Sequence, residues 1–360
     1  MEVIRVRNVN EAYETGRTLL LNAGVREESR AGPVVVAPYP VLTVYERPTE
    51  RVLFDVPRDA NPFFHLFESL WLLAGRDDAR WLDQFVSDFS ARFAQDDGRL
   101  HGSYGKRWRG WFTRAQFNSD GQGGTSCSEE PLDQLDSVVR TLQTDPSSRQ
   151  CVIAMWDPTA DLGVAGLRDR PCNTQVYLRV RTEQGEPEPG GGDPLTRSVL
   201  DLTVTCRSND IVWGAYGANA VQFSVLQEYL AGRIGVGVGT MYQFSNNWHG
   251  YEAVLEKFRW WDASSDPYRE GLVTPLPMGT DWTRWDEDLY QFMAWTEGTP
   301  SSVRAPGFAN MWFTGVAVPM YKAHLEHRYG NREAALDYAA RIRATDWCKA
   351  ALHWIARRQK

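Results

Sequence analysis

Two stretches, "RDRPCNTQVYLRVRT" (168–182) and "RSVLDLTVTCRSND" (197–210), decide the fold. Both run into an alternation of polar with β-branched or apolar residues, the period-two pattern of a half-buried strand. The segment between them, "EQGEPEPGGGDP" (183–194), is rich in Gly, Pro and acids, so the pair reads as a hairpin with a long loop. A third strand candidate, "SRQCVIAMWDP" (148–158), stops at a proline turn. Helical periodicity surrounds these strands. "NPFFHLFESLWLLAG" (61–75) starts at Asn-Pro and ends at Gly75. "ANAVQFSVLQEYLAGR" (218–233) repeats that logic, and the residues from Gly330 onward read as one or two amphipathic helices. Strands and helices mix without regular βαβ alternation, which predicts an α+β domain. With no strong linker, residues 1–360 are expected to form one domain, with insertions near 114–132 and 183–194.

The bulk properties narrow the function. With 42% hydrophobic and 24% charged residues and 15 tryptophans, the chain is that of a globular protein with a large core. No apolar run reaches membrane-spanning length and the N-terminus lacks a signal peptide's apolar centre, so a cytoplasmic protein is expected. A net charge of -7 disfavours direct nucleic-acid binding but not a small anion held by a few arginines. The five cysteines are dispersed and form no C-x-x-C pair, which argues for reduced thiols and against structural zinc. His324 and His327 lack a carboxylate cluster and read as a solvated helix face, so no metal site is expected.

Cys172 alone reads most simply as a buried structural thiol. Four other segments change its weight: Glu68 in "NPFFHLFESLWLL", Tyr104 in "GSYGKRWRGW", Arg149 in "DPSSRQCVIAMWDP", and Arg207, Ser208 and Asp210 in "CRSNDIVWGAYGAN". Taken in order with Cys172 and Gln175, the set resembles the thymidylate synthase superfamily, which includes phage-type pyrimidine nucleotide hydroxymethylases. The resemblance covers roughly residues 25 to 250; from about 255 the helical C-terminal part diverges.

The resemblance implies a thymidylate synthase-like mixed sheet, flanked by helices and used as a homodimer interface. It implies that 5,10-methylenetetrahydrofolate supplies one carbon to C5 of a pyrimidine nucleoside monophosphate. A pyrimidine is a poor nucleophile at C5 until a thiolate adds at C6, and cysteine both attacks and leaves well once its pKa is lowered by arginines or a polar cage. By resemblance Cys172 is that nucleophile, Glu68 organises the proton-shuttling water and Tyr104 assists loss of the C5 proton. Arg207 and Ser208 bind nucleotide beside the thiol, Gln175 belongs to the nucleophile motif, and Arg30 matches a mobile-loop phosphate arginine. Arg149 would reach the partner subunit's phosphate. Asp210, with Gly214 after it, would hold the pterin. Asn219 would read the base, although it follows Gly214 one residue later than the family spacing.

Departures from the pattern bear on the product. Asn173 follows the nucleophile where the family carries His. Gln150 replaces a second arginine, and Tyr242 with Phe244 stands for the H-x-Y pair that holds the sugar. The tryptophan expected near folate falls on Ser90, with Phe93 at a second aromatic position, and the residues "HWIARRQK" (353–360) do not resemble the family's closing tail. A site opened to water would give a 5-hydroxymethyl product, whereas a dry one protects hydride transfer to a 5-methyl product. Hydroxymethyl transfer is therefore expected, to dUMP by Asn219, with dCMP or CMP as alternatives. A thymidylate synthase or dCMP methylase, and an inactive nucleotide-binding homologue, are the competing readings.

Overall fold

The computed structural model describes residues 1–119, 125–184, 196–258, 265–297 and 303–358. Its strands are β1 (Glu2–Val6), β2 (Val25–Glu27), β3 (Val34–Val36), β4 (Val41–Tyr45), β5 (Thr113–Ser119), β6 (Thr125–Pro131), β7 (Val152–Ala154), β8 (Asn173–Gln184), β9 (Thr196–Asp210) and β10 (Gly237–Tyr251). The main sheet has the order β1-β4-β10-β9-β8-β7, with β2 and β3 joined through β3 to β10. It is mixed: β1 with β4 and β9 with β10 run parallel, and the other pairs are antiparallel.

The hairpin expected from the opening stretches is β8 with β9, in register from Asn173 opposite Cys206 to Gln184 opposite Thr196. Most of the loop read at 183–194 lies outside the described residues, from 185 to 195. The other insertion, near 114–132, carries β5 and β6, which pair as a separate two-stranded sheet. Where their side chains are described they are exposed, and backbone pairing with polar cross-strand bonds such as Gln116 to Glu130 at 2.6 Å leaves no apolar alternation to read. The strand candidate at 148–158 shrinks to the three residues of β7.

Helix Asn219–Ile234 lies between the β9–β10 face of the sheet and helix Pro62–Leu73. Every residue from Asn219 to Ala231 is buried, which fits a helix with no solvent face. Helix Pro62–Leu73 begins as its sequence dictates: Asn61 Oδ1 accepts from the Phe63 and Phe64 amides, both at 3.1 Å, and Pro62 fills the first turn. Its outer side is covered by the C-terminal helices. Phe63 meets Trp354 edge-on at 5.3 Å, and Phe67 meets Phe292 and Tyr321 at 5.9 and 5.8 Å. The diverging C-terminal part thus buttresses the helix that carries Glu68.

That packing corrects the reading of His324. It is buried rather than solvated, lies 2.6 Å from the Gln84 carbonyl through Nε2, and stacks on Phe85 at 4.9 Å. A ring nitrogen that close to a carbonyl oxygen must donate, and burial pushes the pKa down to about 3, so the imidazole is neutral.

Gly105 seats the next site segment. A Cβ there would lie 2.3 Å from the Leu72 carbonyl oxygen, so only glycine lets the Tyr104 turn rest on helix Pro62–Leu73.

Candidate active site

A cavity of about 320 Å³ opens where that helix, the Tyr104 turn, the start of β8 and the end of β9 meet; Glu68, Tyr104, Cys172, Ser208, Asp210, Gly214 and Asn219 all line it. Residues from five separate stretches of sequence converge because strands β8 and β9 run side by side and the Asn219 helix folds back over them.

Cys172 precedes β8 directly. Arg207, on β9, is tied to it by backbone and side chain: its amide donates to the Cys172 carbonyl at 2.9 Å and its Nε to the Pro171 carbonyl at 2.9 Å. These bonds leave Arg207 Nη2 at 3.8 Å from the Cys172 sulfur. Arg207 favours the thiolate, as expected from the arginine-cage argument. Burial outweighs it, however, and Asp169 adds to the effect, so the thiol stands above its ordinary value.

Tyr104 and Asn173 explain each other. The Asn173 amide N–H and its Nδ2 both donate to the Tyr104 phenol oxygen, at 3.2 and 2.8 Å. Both acceptor positions of that oxygen are thereby used, and its proton is left to donate elsewhere. Burial pushes the phenol well above its ordinary range, so Tyr104 is a neutral donor. Glu68 is held by Gln222, whose Nε2 donates to Oε2 at 2.7 Å. Burial nonetheless raises Glu68 from 4.5 to about 7, against the Gln222 bond and with help from Asp169. This carboxyl exchanges protons near neutrality.

The extra residue before Asn219 has a structural cause. Residues Ile211–Ala218 form a widened helical turn, and the Asn219 amide donates to the Gly214 carbonyl, five residues back. A turn of this kind absorbs one added residue without rotating the rest of the helix. Asn219 therefore faces the cavity, where its Nδ2 donates to Asn209 Oδ1 at 3.1 Å and Asn209 Nδ2 donates to Ser245 at 3.0 Å. Gly214 lies beneath this relay; a Cβ would approach Asn209 Oδ1 to 2.7 Å. Asp210 caps the same turn, accepting from the Val212 and Trp213 amides through Oδ1. Its Oδ2 is buried with no hydrogen-bond partner, and so are Asn173 Oδ1 and Gln222 Oε1. Asp210 and Gln222 both line the cavity, and two orphaned polar atoms there mark a place that expects a polar ligand.

Other expected residues lie outside this cavity. Arg149 is exposed in the turn before β7, beside Ser147 and Gln150. Arg30 is exposed between β2 and β3, near enough to Tyr251 to act on it electrostatically. Gln175 accepts from the Tyr177 hydroxyl on β8, and Tyr242 sits on β10 opposite Val44 and Thr203. Ser90 turns away to Asp83, donating through its amide at 2.8 Å and its hydroxyl at 2.5 Å. The aromatic cover expected to be lost there is supplied by Phe89 and Phe93, which line the cavity with their rings 5.0 Å apart. Asp169, Arg170, Asn209, Trp213 and Gln222 also line it and were not singled out in the sequence. All five lay inside quoted segments, but Gln222 is legible as a site residue only once its helix is packed against Glu68.

A sequence model described as thymidylate synthase matches residues 63–261, more than half of the chain. The chain belongs to the thymidylate synthase family. It is an enzyme of the one-carbon transferase class, and its mixed sheet with surrounding helices is the thymidylate synthase fold. A "Deoxyuridylate hydroxymethyltransferase" of Pseudomonas phage M6 is 40% identical over 374 aligned residues, covering 100% of this chain and 95% of that protein. One of the same name from Bacillus phage SP01 is 35% identical, covering 59% of this chain and 49% of the relative. A thymidylate synthase of Streptococcus mutans is 31% identical over 44% of this chain and 51% of its own length.

Proposed function

We propose that this thymidylate synthase family member transfers a hydroxymethyl group to C5 of a pyrimidine nucleoside monophosphate, with dUMP as substrate and 5,10-methylenetetrahydrofolate as one-carbon donor. The observation that carries the reading is the single cavity in which Cys172, with Arg207 3.8 Å from its sulfur, faces the same space as Glu68, Tyr104 and Asn219. The phage M6 relative, aligned over the whole chain, favours deoxyuridylate and the hydroxymethyl product.

On this reading the phosphate dianion binds at Arg207 and Ser208, joined by Arg30. Arg149, exposed and away from its own cavity, serves the partner subunit of a homodimer that packs through the uncovered sheet face, where Tyr177 is 43% exposed. Asn219 pairs with the uracil edge, accepting from N3–H and donating to O4. The Asn209–Ser245 relay holds its amide in place; because a hydroxyl can donate or accept, the relay also permits the flipped amide that cytosine requires. The Cys172 sulfur adds to C6, and Arg207 stabilises the thiolate as the substrate displaces water. Tyr104 O–H and the Glu68 carboxyl carry protons to and from the ring at C5 and O4.

The donor set suits the folate. Asp210 Oδ2, buried and unpartnered, matches paired N–H donors on the pterin edge, while Phe89, Phe93 and Trp213 offer flat faces. When bound, methylenetetrahydrofolate supplies the one-carbon unit. Afterwards an exocyclic methylene stands on C5 of the adduct, and water addition gives the hydroxymethyl group. The aromatic wall favours a second reading, hydride transfer to a 5-methyl product. Incubation with methylenetetrahydrofolate and dUMP, dCMP or CMP, followed by product mass, separates the two. A 5-methyl nucleotide with dihydrofolate appearing would overturn the hydroxymethyl reading.

A further inference from the structure

The cavity holds a carboxylate outside the expected set. Asp169 lies three residues before Cys172 and lines the same space as Cys172 and Glu68. Its loop is pinned on both sides. Arg168 donates to the Ala94 carbonyl at 2.8 Å and to Asp96 at 2.7 Å, while Arg170 donates to the Leu167 carbonyl at 3.4 Å and to that of Val164. The Gly102 amide donates to Asp169 Oδ2 at 2.9 Å, and a Cβ on Gly102 would come within 2.7 Å of that oxygen. The carboxylate is therefore held in one place by rigid neighbours rather than by a flexible salt bridge.

Its charge acts on both reacting groups, pushing the Cys172 thiol and the Glu68 carboxyl upward. The sign excludes thiol activation, because a neighbouring anion disfavours thiolate. The two carboxyls instead have different partners. Glu68, deprived of charged donors, keeps a proton near neutrality. Asp169 is pushed up by burial, while the Gly102 amide, His101 and Arg107 favour its anion. Paired carboxyls with unlike environments are how one site holds an acid and a base together.

We propose that Asp169 is the general base for the water that captures the C5 methylene. This rests on the hydroxymethyl reading. The water oxygen bonds to the exocyclic carbon and its proton passes to Asp169. The C5-to-methylene π pair moves onto C5–C4 as the C4 oxygen becomes an enolate. Collapse of that enolate restores the C4 carbonyl, forms C5=C6 and expels Cys172 as thiolate. The Asp169 proton then leaves to solvent, so one water is consumed, one thiolate is regenerated and nothing is oxidised.

The test uses the full-length enzyme with C5-tritiated dUMP, methylenetetrahydrofolate and 2-mercaptoethanol, which competes with water for the methylene and leaves a 5-thioether product. Asp169→Asn keeps an acceptor for the Gly102 amide. It is expected to release tritium at a rate within about threefold of wild type, while the hydroxymethyl-to-thioether ratio falls at least about a hundredfold, the low side of a general base's contribution. Asp169→Ala should show the same fall, and added formate should raise the ratio again. An unchanged ratio with normal tritium release refutes the role, and so does tritium release that falls in step with hydroxymethyl product. Wild type that releases tritium but yields a 5-methyl product instead overturns the underlying reading, and the proposal with it.

Discussion

Replacing Glu68 with Gln should stabilise the protein above neutral pH while impairing its chemistry. In the folded chain the Glu68 carboxyl titrates at about 7 against an ordinary 4.5, chiefly because of burial. A folded value above the unfolded one means that the native state binds more protons between the two. Stability is then greatest below pH 4.5 and is lost as pH rises through about 7. Moving the carboxyl from 4.5 to about 7 corresponds to roughly 3 kcal/mol. Gln at position 68 removes the charge but keeps an oxygen for the Gln222 amide, now 2.7 Å from Oε2. Urea denaturation of wild type and Glu68→Gln at pH 4.5, 6 and 8 is the assay. The variant should match wild type at the lowest pH and exceed it by as much as about 3 kcal/mol at pH 8. Tritium release from C5-labelled dUMP should fall at least about a hundredfold, the scale of a lost proton-transfer group. Parallel stability profiles for the two proteins would refute the claim that Glu68 is held protonated by its surroundings.

Three further outcomes follow from named contacts. Arg207→Met should raise the Cys172 thiol pKa, so the pH midpoint for iodoacetamide alkylation of Cys172, read by peptide mass, moves upward, with the Cys172→Ala protein giving the background from exposed Cys127; an unmoved midpoint contradicts the electrostatic role given to the 3.8 Å approach. Asn219→Asp should shift preference from dUMP toward dCMP, because a protonated carboxyl can donate to N3 and accept from the 4-amino group; competition between the two nucleotides in one tube reads the ratio, and an unaltered ratio removes Asn219 as the base reader. Gly105→Ala should destabilise the fold by about 1–3 kcal/mol, because its Cβ would meet the Leu72 carbonyl oxygen at 2.3 Å. An unchanged urea midpoint would show that the two segments separate more easily than this packing implies.

Much of the molecule was legible before folding was considered. Alternation in 174–182 and 197–208 specifies the β8–β9 hairpin, since one face of each strand must be buried. Asn61 and Pro62 mark a helix start because they satisfy exposed amide groups locally. Cys172, Arg207 and Asp210 stand out because they recur in order with Glu68, Tyr104 and Arg149. Such signals are local, or lie on a strand whose period is two.

Other features depend on which distant surfaces meet. His324 looked solvated because nothing in its own helix shows that Phe63, Phe85 and Trp354 close over it. The β5–β6 hairpin was hidden because backbone pairing leaves no apolar pattern. Ser90 suggested a lost aromatic wall, and only the fold turns it to Asp83 and presents Phe89 and Phe93 instead. The late position of Asn219 looked like a displacement until a five-residue hydrogen bond took up the added residue. The sequence by itself determined the β8–β9 pair and the start of helix Pro62–Leu73, and through its resemblance put Cys172 forward as the nucleophile, because periodicity, capping and residue type are properties of neighbours along the chain. Only the tertiary structure decided that Glu68 is protonated near neutrality, that Tyr104 is a donor and that Asp169 shares their cavity, because burial and charge coupling depend on distances through space.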